Sequence, residues 1–156
     1  LCELAKDPKA YDLDAYLEAS NVALQRDAKN FALLKQFLQS KDSGVRYWGV
    51  IGLLLLDQKP AQVTEQLRKL LRDKSHSVQA MSAYALHAKG ARDLARKTLL
   101  NLLHQESHAT LLVLNIIAWL NEDPAYFYDA IQGTKNNQLK PYVQKMKGNL
   151  SFFTKN

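Results

Sequence analysis

Apolar residues recur along this chain at helical spacing, in blocks that repeat. Val63, Leu67, Leu70 and Leu71 fall at i, i+4, i+7 and i+8, one stripe of an amphipathic helix, with Pro60 near its start. Val78, Met81, Ala85 and Leu86 form the next stripe, with Ser75 or Ser77 as the N-cap and Gly90 suited to a left-handed C-terminal position. Asn30 is placed to cap a helix carrying Phe31, Leu34, Phe37 and Leu38, and Ser43 to cap one carrying Val45, Trp48, Ile51, Gly52 and Leu55. Ala95, Leu99, Leu102 and Leu103 make a further stripe, and Leu111 to Leu120 is apolar enough to be buried on most sides. Asp12 to Leu24 reads as one helix with Leu13, Tyr16, Leu17 and Leu24 on its apolar side.

The blocks are copies of one another. The segment from Leu34 to Val45 aligns with that from Leu67 to Val78 at an offset of 33, which carries Gly52-Leu53 onto Ala85-Leu86. A weaker third copy follows at 32–33, with Leu102-Leu103, Ser107-His108 and Ala118 matching Leu70-Leu71, Ser75-His76 and Ala85. Each unit reads as helix, short polar turn, helix, and three such units predict an α-solenoid. In a stacked array the inner helix of each pair touches both neighbours and should be apolar all round, while the outer one keeps a wet face. Gly49, Gly52, Ala80, Ala83, Ala85 and Ala118 fall on the inner helices, where small residues permit close approach. The expected organisation is a single all-α domain over 1–156: a capping helix in 1–27, three helical-hairpin repeats in 28–121, and capping helices in 122–156. In the last part, Asp123-Pro124 starts a short helix through Ile131, Gly133 to Gln138 is a polar linker, and Pro141 opens an amphipathic helix.

Composition agrees and excludes several classes. The chain has 156 residues, 47% of them apolar, enough for one domain with a real core. Six Gly and four Pro are too few for a turn-dense β-sandwich or barrel. One cysteine, Cys2, rules out an internal disulfide and any multi-cysteine metal site, and it reads as an ordinary thiol. The longest apolar runs, Gly49 to Leu56 and Ala109 to Leu120, fall short of a membrane span. The chain opens on Leu1 with no signal-peptide pattern, and we read it as a piece of something longer.

The stretch Asp42-Ser-Gly-Val-Arg-Tyr-Trp-Gly-Val-Ile-Gly-Leu53 resembles the HEAT-like repeat. In that family a turn Asp and a following Val-Arg are typical, and the Asp and Arg tend to link neighbouring repeats. Asp42, Val45, Arg46 and Trp48 carry the pattern in the first unit. The second keeps Asp73 and Val78 but has Gln79 where Arg would stand, and the third has Gln105 and Thr110 and keeps neither. A narrower resemblance joins Val45 to Leu53, Ala83-Tyr-Ala-Leu86 and Leu114 to Leu120 to the C-terminal helical extension of some bacterial sulfatases. It implies an accessory domain whose catalytic partner lies upstream. The Cys/Ser-x-Pro-x-Arg that matures to formylglycine and the calcium ligands of sulfatases would belong to that absent domain, since Cys2 is followed by Glu3 and Leu4. The protein would then be periplasmic or secreted, and no cofactor is expected in this fragment.

Candidate chemistry is sparse. His104 and His108 are spaced like a helical metal pair, but Glu106 is misplaced for the metalloprotease form and a turn should separate them. Lys and Arg total 21 against 15 Asp and Glu, a net charge of +6. Part of the excess gathers as Arg68 with Arg72 and Arg92 with Arg96, each pair at i, i+4, where an anionic polymer could lie. Tyr47, Trp48 and Trp119 could line a groove but are expected to pack in the core. Tyr126, Phe127 and Tyr128 cannot all point inward, so at least one is exposed or covered by a partner. Asn149-Leu-Ser151 matches a glycosylation acceptor, meaningless in a bacterium. The leading expectation is a non-catalytic interaction module binding its own catalytic domain, another protein or a sulfated glycan. Two alternatives are a basic nucleic-acid module like the HEAT-like alkylpurine DNA glycosylases and a general protein–protein scaffold. A bilin-lyase-like repeat has no distinguishing residue here.

Overall fold

A computed structural model describes residues 12–56, 60–105, 107–120 and 124–127. Cys2, Tyr128, the polar linker, the amphipathic stretch opened by Pro141 and the Asn149 acceptor lie outside these. Among the described residues the fold is all-helical: α1 (Leu13–Leu24), α2 (Phe31–Phe37), α3 (Ser43–Leu55), α4 (Pro60–Leu70), α5 (His76–Ala88), α6 (Arg92–Gln105) and α7 (Thr110–Leu120), with short 3-10 turns at Ala28–Asn30 and Pro124–Phe127. No helix among them is long and apolar enough to cross a membrane.

Alternate helices stack on one another. α1 packs on α3, α3 on α5 and α5 on α7, while α2, α4 and α6 each pack against the next helix of that series. The sequence explains the division. Among its described side chains α4 buries Val63, Leu67 and Leu70 and keeps a polar face, whereas α5 buries Val78, Ala80, Met81, Ser82, Ala83, Ala85 and Leu86, residues pointing in every direction. Two apolar clusters result. Val78, Met81, Ala85 and Leu86 join Leu34, Leu53 and Leu67 in one, and Ala80 and Ala83 join Leu99, Val113, Ile116 and Phe127 in the other. α5 is the wall between them, with Tyr84 and Leu71 bordering both.

The 33-residue phase shows in burial for the first two units: every position buried in α3, Val45, Gly49, Val50, Gly52 and Leu53, has a buried equivalent in α5, Val78, Ser82, Ala83, Ala85 and Leu86. The third unit departs from expectation. α7 begins at Thr110, 34 positions after the start of α5, so Ser107 is not a helix start but lies in the preceding turn. There its Oγ accepts from Ala109 N at 3.2 Å.

Several expected caps are corrected. Asn30 makes no cap bond, because Asp27 caps the preceding 3-10 turn and leads the chain into α2. Asp42, not Ser43, caps α3: a carboxylate oxygen accepts from both Gly44 N at 2.6 Å and Val45 N at 3.1 Å. Ser75 stands at the N-cap of α5 without a side-chain bond, its own amide donating instead to Asp73 Oδ1 at 2.7 Å. On α1, Asp12 caps as its position suggests, but Leu13, Leu17 and Leu24 are exposed, and the buried face is Ala19 and Ala23. Small residues are what a close α1–α3 crossing can accommodate.

Gly90 takes φ +93° and ends α5 in a Schellman motif, with Ala91 N donating to Leu86 O at 2.9 Å and Gly90 N to His87 O at 3.0 Å. Nothing lies near the position a Cβ would occupy, so the only penalty for a side chain is backbone strain. Gly90→Ala is expected to cost about 1 kcal/mol in urea unfolding. An unchanged midpoint would show that the turn relaxes freely.

Candidate functional site

The residues of the repeat signature meet at the ends of α3 and α5. Arg46, one turn into α3, donates from Nε to Asp73 Oδ2 at 2.7 Å and from Nη2 to Asp73 Oδ1 at 2.8 Å, a fork-on-fork pair between consecutive units. Its Nη1 donates to the Ser40 and Lys41 carbonyls at 2.8 and 2.9 Å, closing the turn before α3. The side chains of Arg46 and Asp73 are only 12% and 7% exposed. Burial alone would raise the Asp73 carboxyl, but the Arg46 guanidinium and the Ser75 amide outweigh it and hold the group below its ordinary value. The same hydrogen bond to Asp73 raises Arg46. In the second unit Gln79 donates to the Asp73 carbonyl at 2.6 Å, the position equivalent to Ser40, so it closes its own turn without reaching onward. At the other end Lys89 Nζ donates to the Leu56 carbonyl at 2.9 Å, a second tie between the first two units. Val45 and Val78 are buried in the first turns beside these contacts.

Beside this clamp a cleft of about 420 Å³ crosses the N-terminal ends of the stacked helices. α1 contributes Tyr16, and α3 contributes Tyr47 with the Asp42-Ser43-Gly44 turn. Ser75 and Ser77 come from the start of α5, His108 from the turn before α7 and Leu112 from its first turn. Tyr16 is fixed on two sides: its ring meets Trp48 edge-on at 6.1 Å, and a Cβ on Gly44 would sit 2.7 Å from its Cε2, so Gly44 is what lets the ring lie there. Burial pushes the Tyr47 phenol up, with nearby Tyr16 adding to the shift. Tyr47 and Trp48, expected in the core, are half-buried and pack against the apolar cluster of α3 and α5, and Tyr47 also lines the cleft.

Trp119 departs further from expectation. It is 60% exposed on α7, touching Tyr84 edge-on at 6.2 Å. α5 separates it from Trp48, so the two tryptophans do not share a cleft. Of the terminal aromatics, Phe127 is fully buried and Tyr126 is exposed under the Arg96 guanidinium, 5.8 Å from its ring centroid.

Of the two basic pairs, only Arg92 with Arg96 shares a helix, α6. Arg68 is exposed on α4, but the helix ends at Leu70 and Arg72 lies in the following turn, so the expected shared face is not formed. Arg92 is exposed at the start of α6 while Arg96 is half-buried, 3.9 Å from Asp93. Burial lowers the His87 imidazole, and Arg92 and Arg96 push it the same way. His104 lies in the last turn of α6 and His108 beyond it in the following turn, where its ring faces that of His76 in parallel at 6.4 Å. No group of three or more metal-ligating side chains occurs among the described residues.

The cleft is what the sequence reading missed. Its serines had been assigned as caps, and its residues come from four helices, with no local motif. The available signal was the recurrence of hydroxyl residues in the turns before α3 and α5. No protein family, curated protein or solved structure matches the chain.

Proposed function

We propose that the chain is a non-catalytic helical-repeat interaction module, a solenoid of HEAT-like hairpins serving as the C-terminal accessory domain of a bacterial sulfatase. The observation that carries the reading is the Arg46–Asp73 pair, which ties one unit of the 33-residue repeat to the next through the residue types that link HEAT-like repeats. The stacking of α1, α3, α5 and α7 supports it, because each helix there hides its apolar face only against its neighbours. On this reading the partner is the upstream catalytic domain, which supplies calcium and formylglycine, and the protein is periplasmic or secreted. The test is the upstream coding sequence together with an aryl sulfate assay. A Cys/Ser-x-Pro-x-Arg motif upstream, turnover by the full-length protein and none by residues 1–156 are expected. No upstream motif removes the sulfatase assignment, and turnover by the fragment removes the non-catalytic one.

The exposure of Arg68, Arg72 and Arg92 favours a second reading, a nucleic-acid module. Retention on immobilised DNA that falls steeply with salt would support it, and no retention at low ionic strength would remove it.

A further inference from the structure

We propose that the cleft across α1, α3, α5 and α7 binds a linear oligosaccharide of neutral sugar rings. The inference rests on the reading of the chain as a binding module, though not on its assignment to a sulfatase. At about 420 Å³ the cleft falls within the range of roughly 300–1,000 Å³ typical of ligand sites.

The lining selects the ligand class. Neither Lys nor Arg lines the cleft, so a phosphate or sulfate chain would find no counter-charge inside it. The one carboxylate, Asp42, already spends Oδ1 on the Gly44 and Val45 amides. What remains is hydroxyl and aromatic. Ser43, Ser75 and Ser77 have hydroxyls that no intramolecular bond engages among the described residues, Ser75 standing at the N-cap of α5 without a side-chain bond. Such hydroxyls both donate and accept, which matches a ligand whose own hydroxyls do the same. Tyr16 and Tyr47 add two aromatic rings, whose electron-rich faces attract the C–H-lined faces of pyranose rings. His108 and Leu112 complete the far end with a further flat ring and an apolar contact.

The layout selects a linear ligand. The lining comes from four helices stacked in sequence, each about 8–10 Å from the next, so the cleft is a trough across the stack and not a closed pit. It is also formed in advance. Trp48 and Gly44 hold the Tyr16 ring in place, and the Arg46–Asp73 pair fixes the spacing of the α3 and α5 turns that carry the serines. A site set before binding loses little ordering entropy on occupation.

The test is a titration of the isotopically labelled chain with chitohexaose, cellohexaose and xylohexaose, and separately with single-stranded DNA, followed by amide chemical shifts. At least one neutral hexasaccharide at millimolar concentration is expected to shift the amides of Gly44, Tyr47, Ser77 and Leu112. Tyr47→Ala should weaken that binding about tenfold. The Ser77→Ala, His108→Ala double variant, which alters only cleft-lining groups outside the core, should weaken it too with an unchanged melting temperature, and it keeps the test decisive if Tyr47→Ala fails to fold. Three results overturn the proposal: no shift with any of the three sugars, binding undiminished in the double variant, or DNA shifting the same amides and being released by salt. None of these bears on the upstream-motif or aryl sulfate results.

Discussion

Arg46→Ala lowers the unfolding free energy by about 3 kcal/mol, and Asp73→Ala by a similar amount. Either substitution strands the other charge in a site where the two side chains are 12% and 7% exposed, and strips the Ser40 and Lys41 carbonyls or the Ser75 amide of a partner. The double variant should fall short of the summed losses by about 2 kcal/mol, because the second removal relieves the stranded charge left by the first. Arg46→Gln is the informative intermediate. It reproduces what Gln79 does in the second unit, where an amide closes the local turn without reaching the next one, so it should retain part of the stability while losing the tie between units. The pH dependence has a definite sign. Asp73 titrates below its ordinary 3.8 in the folded chain, so its contribution is complete above that region and is lost as pH falls through it toward the lower folded value. Urea unfolding at a series of pH values should therefore show a steeper acid decline in the parent than in Asp73→Ala. Losses under about 1 kcal/mol for the single variants would mean that solvent screens the pair as it does on an open surface.

The clamp also bears on where the stack is stiff. α3 and α5 are joined at one end by Arg46–Asp73 and at the other by Lys89 donating to the Leu56 carbonyl, whereas Gln79 makes no side-chain bond onward toward α7. The first two units are accordingly the firm part among the described residues, and the cleft's Tyr47 and Ser77 walls lie on that part.

How far the sequence could be read depended on whether a feature was periodic or tertiary. The helices and the 33-residue phase were legible because burial in α3 and α5 falls on equivalent positions, and an apolar residue every third or fourth place is enough to reveal that. The apolar run of the third unit was legible as a helix but its start was not, because α7 is apolar on nearly every side and a helix without a polar face carries no marker of its register. The caps failed for a different reason. Ser43 is a good cap residue in isolation, but Asp42 one place earlier takes the Gly44 and Val45 amides, whereas Ser75 does hold the N-cap position of α5 and lacks only the side-chain bond. The leucines of α1 misled because a helix with few neighbours can bury its alanines and leave its larger residues outside. Trp119 followed the same rule at the far end of the described stack. The cleft was not legible at all, since each of its walls looks locally like a turn or a core residue.

Gly52 carries the second large expectation. A Cβ built there would collide with the Leu34 side chain, which is itself buried in the α2–α3 contact. Leu34→Ala alone should cost about 3 kcal/mol, through lost burial and the cavity left behind. Gly52→Ala alone sets an overpacking penalty of about 1–3 kcal/mol against a helix-propensity gain of about 1 kcal/mol, for a net loss of about 1 kcal/mol. In the Leu34→Ala background the sign reverses. The three nearest atoms at Gly52 belong to the Leu34 side chain, so once they are gone the new methyl fills part of the cavity and keeps the propensity gain. Gly52→Ala should then be stabilising by about 1 kcal/mol. Gly49 supplies the control, because a Cβ there meets Leu38 Cδ2 at 2.8 Å, Phe37 Cβ at 3.2 Å and the Leu34 carbonyl oxygen at 3.4 Å. Those atoms remain in Leu34→Ala, so Gly49→Ala should be destabilising in both backgrounds. If Gly52→Ala keeps one sign throughout, α2 shifts as a rigid body to admit the methyl, and the glycines of α3 are not what sets the distance between the two helices.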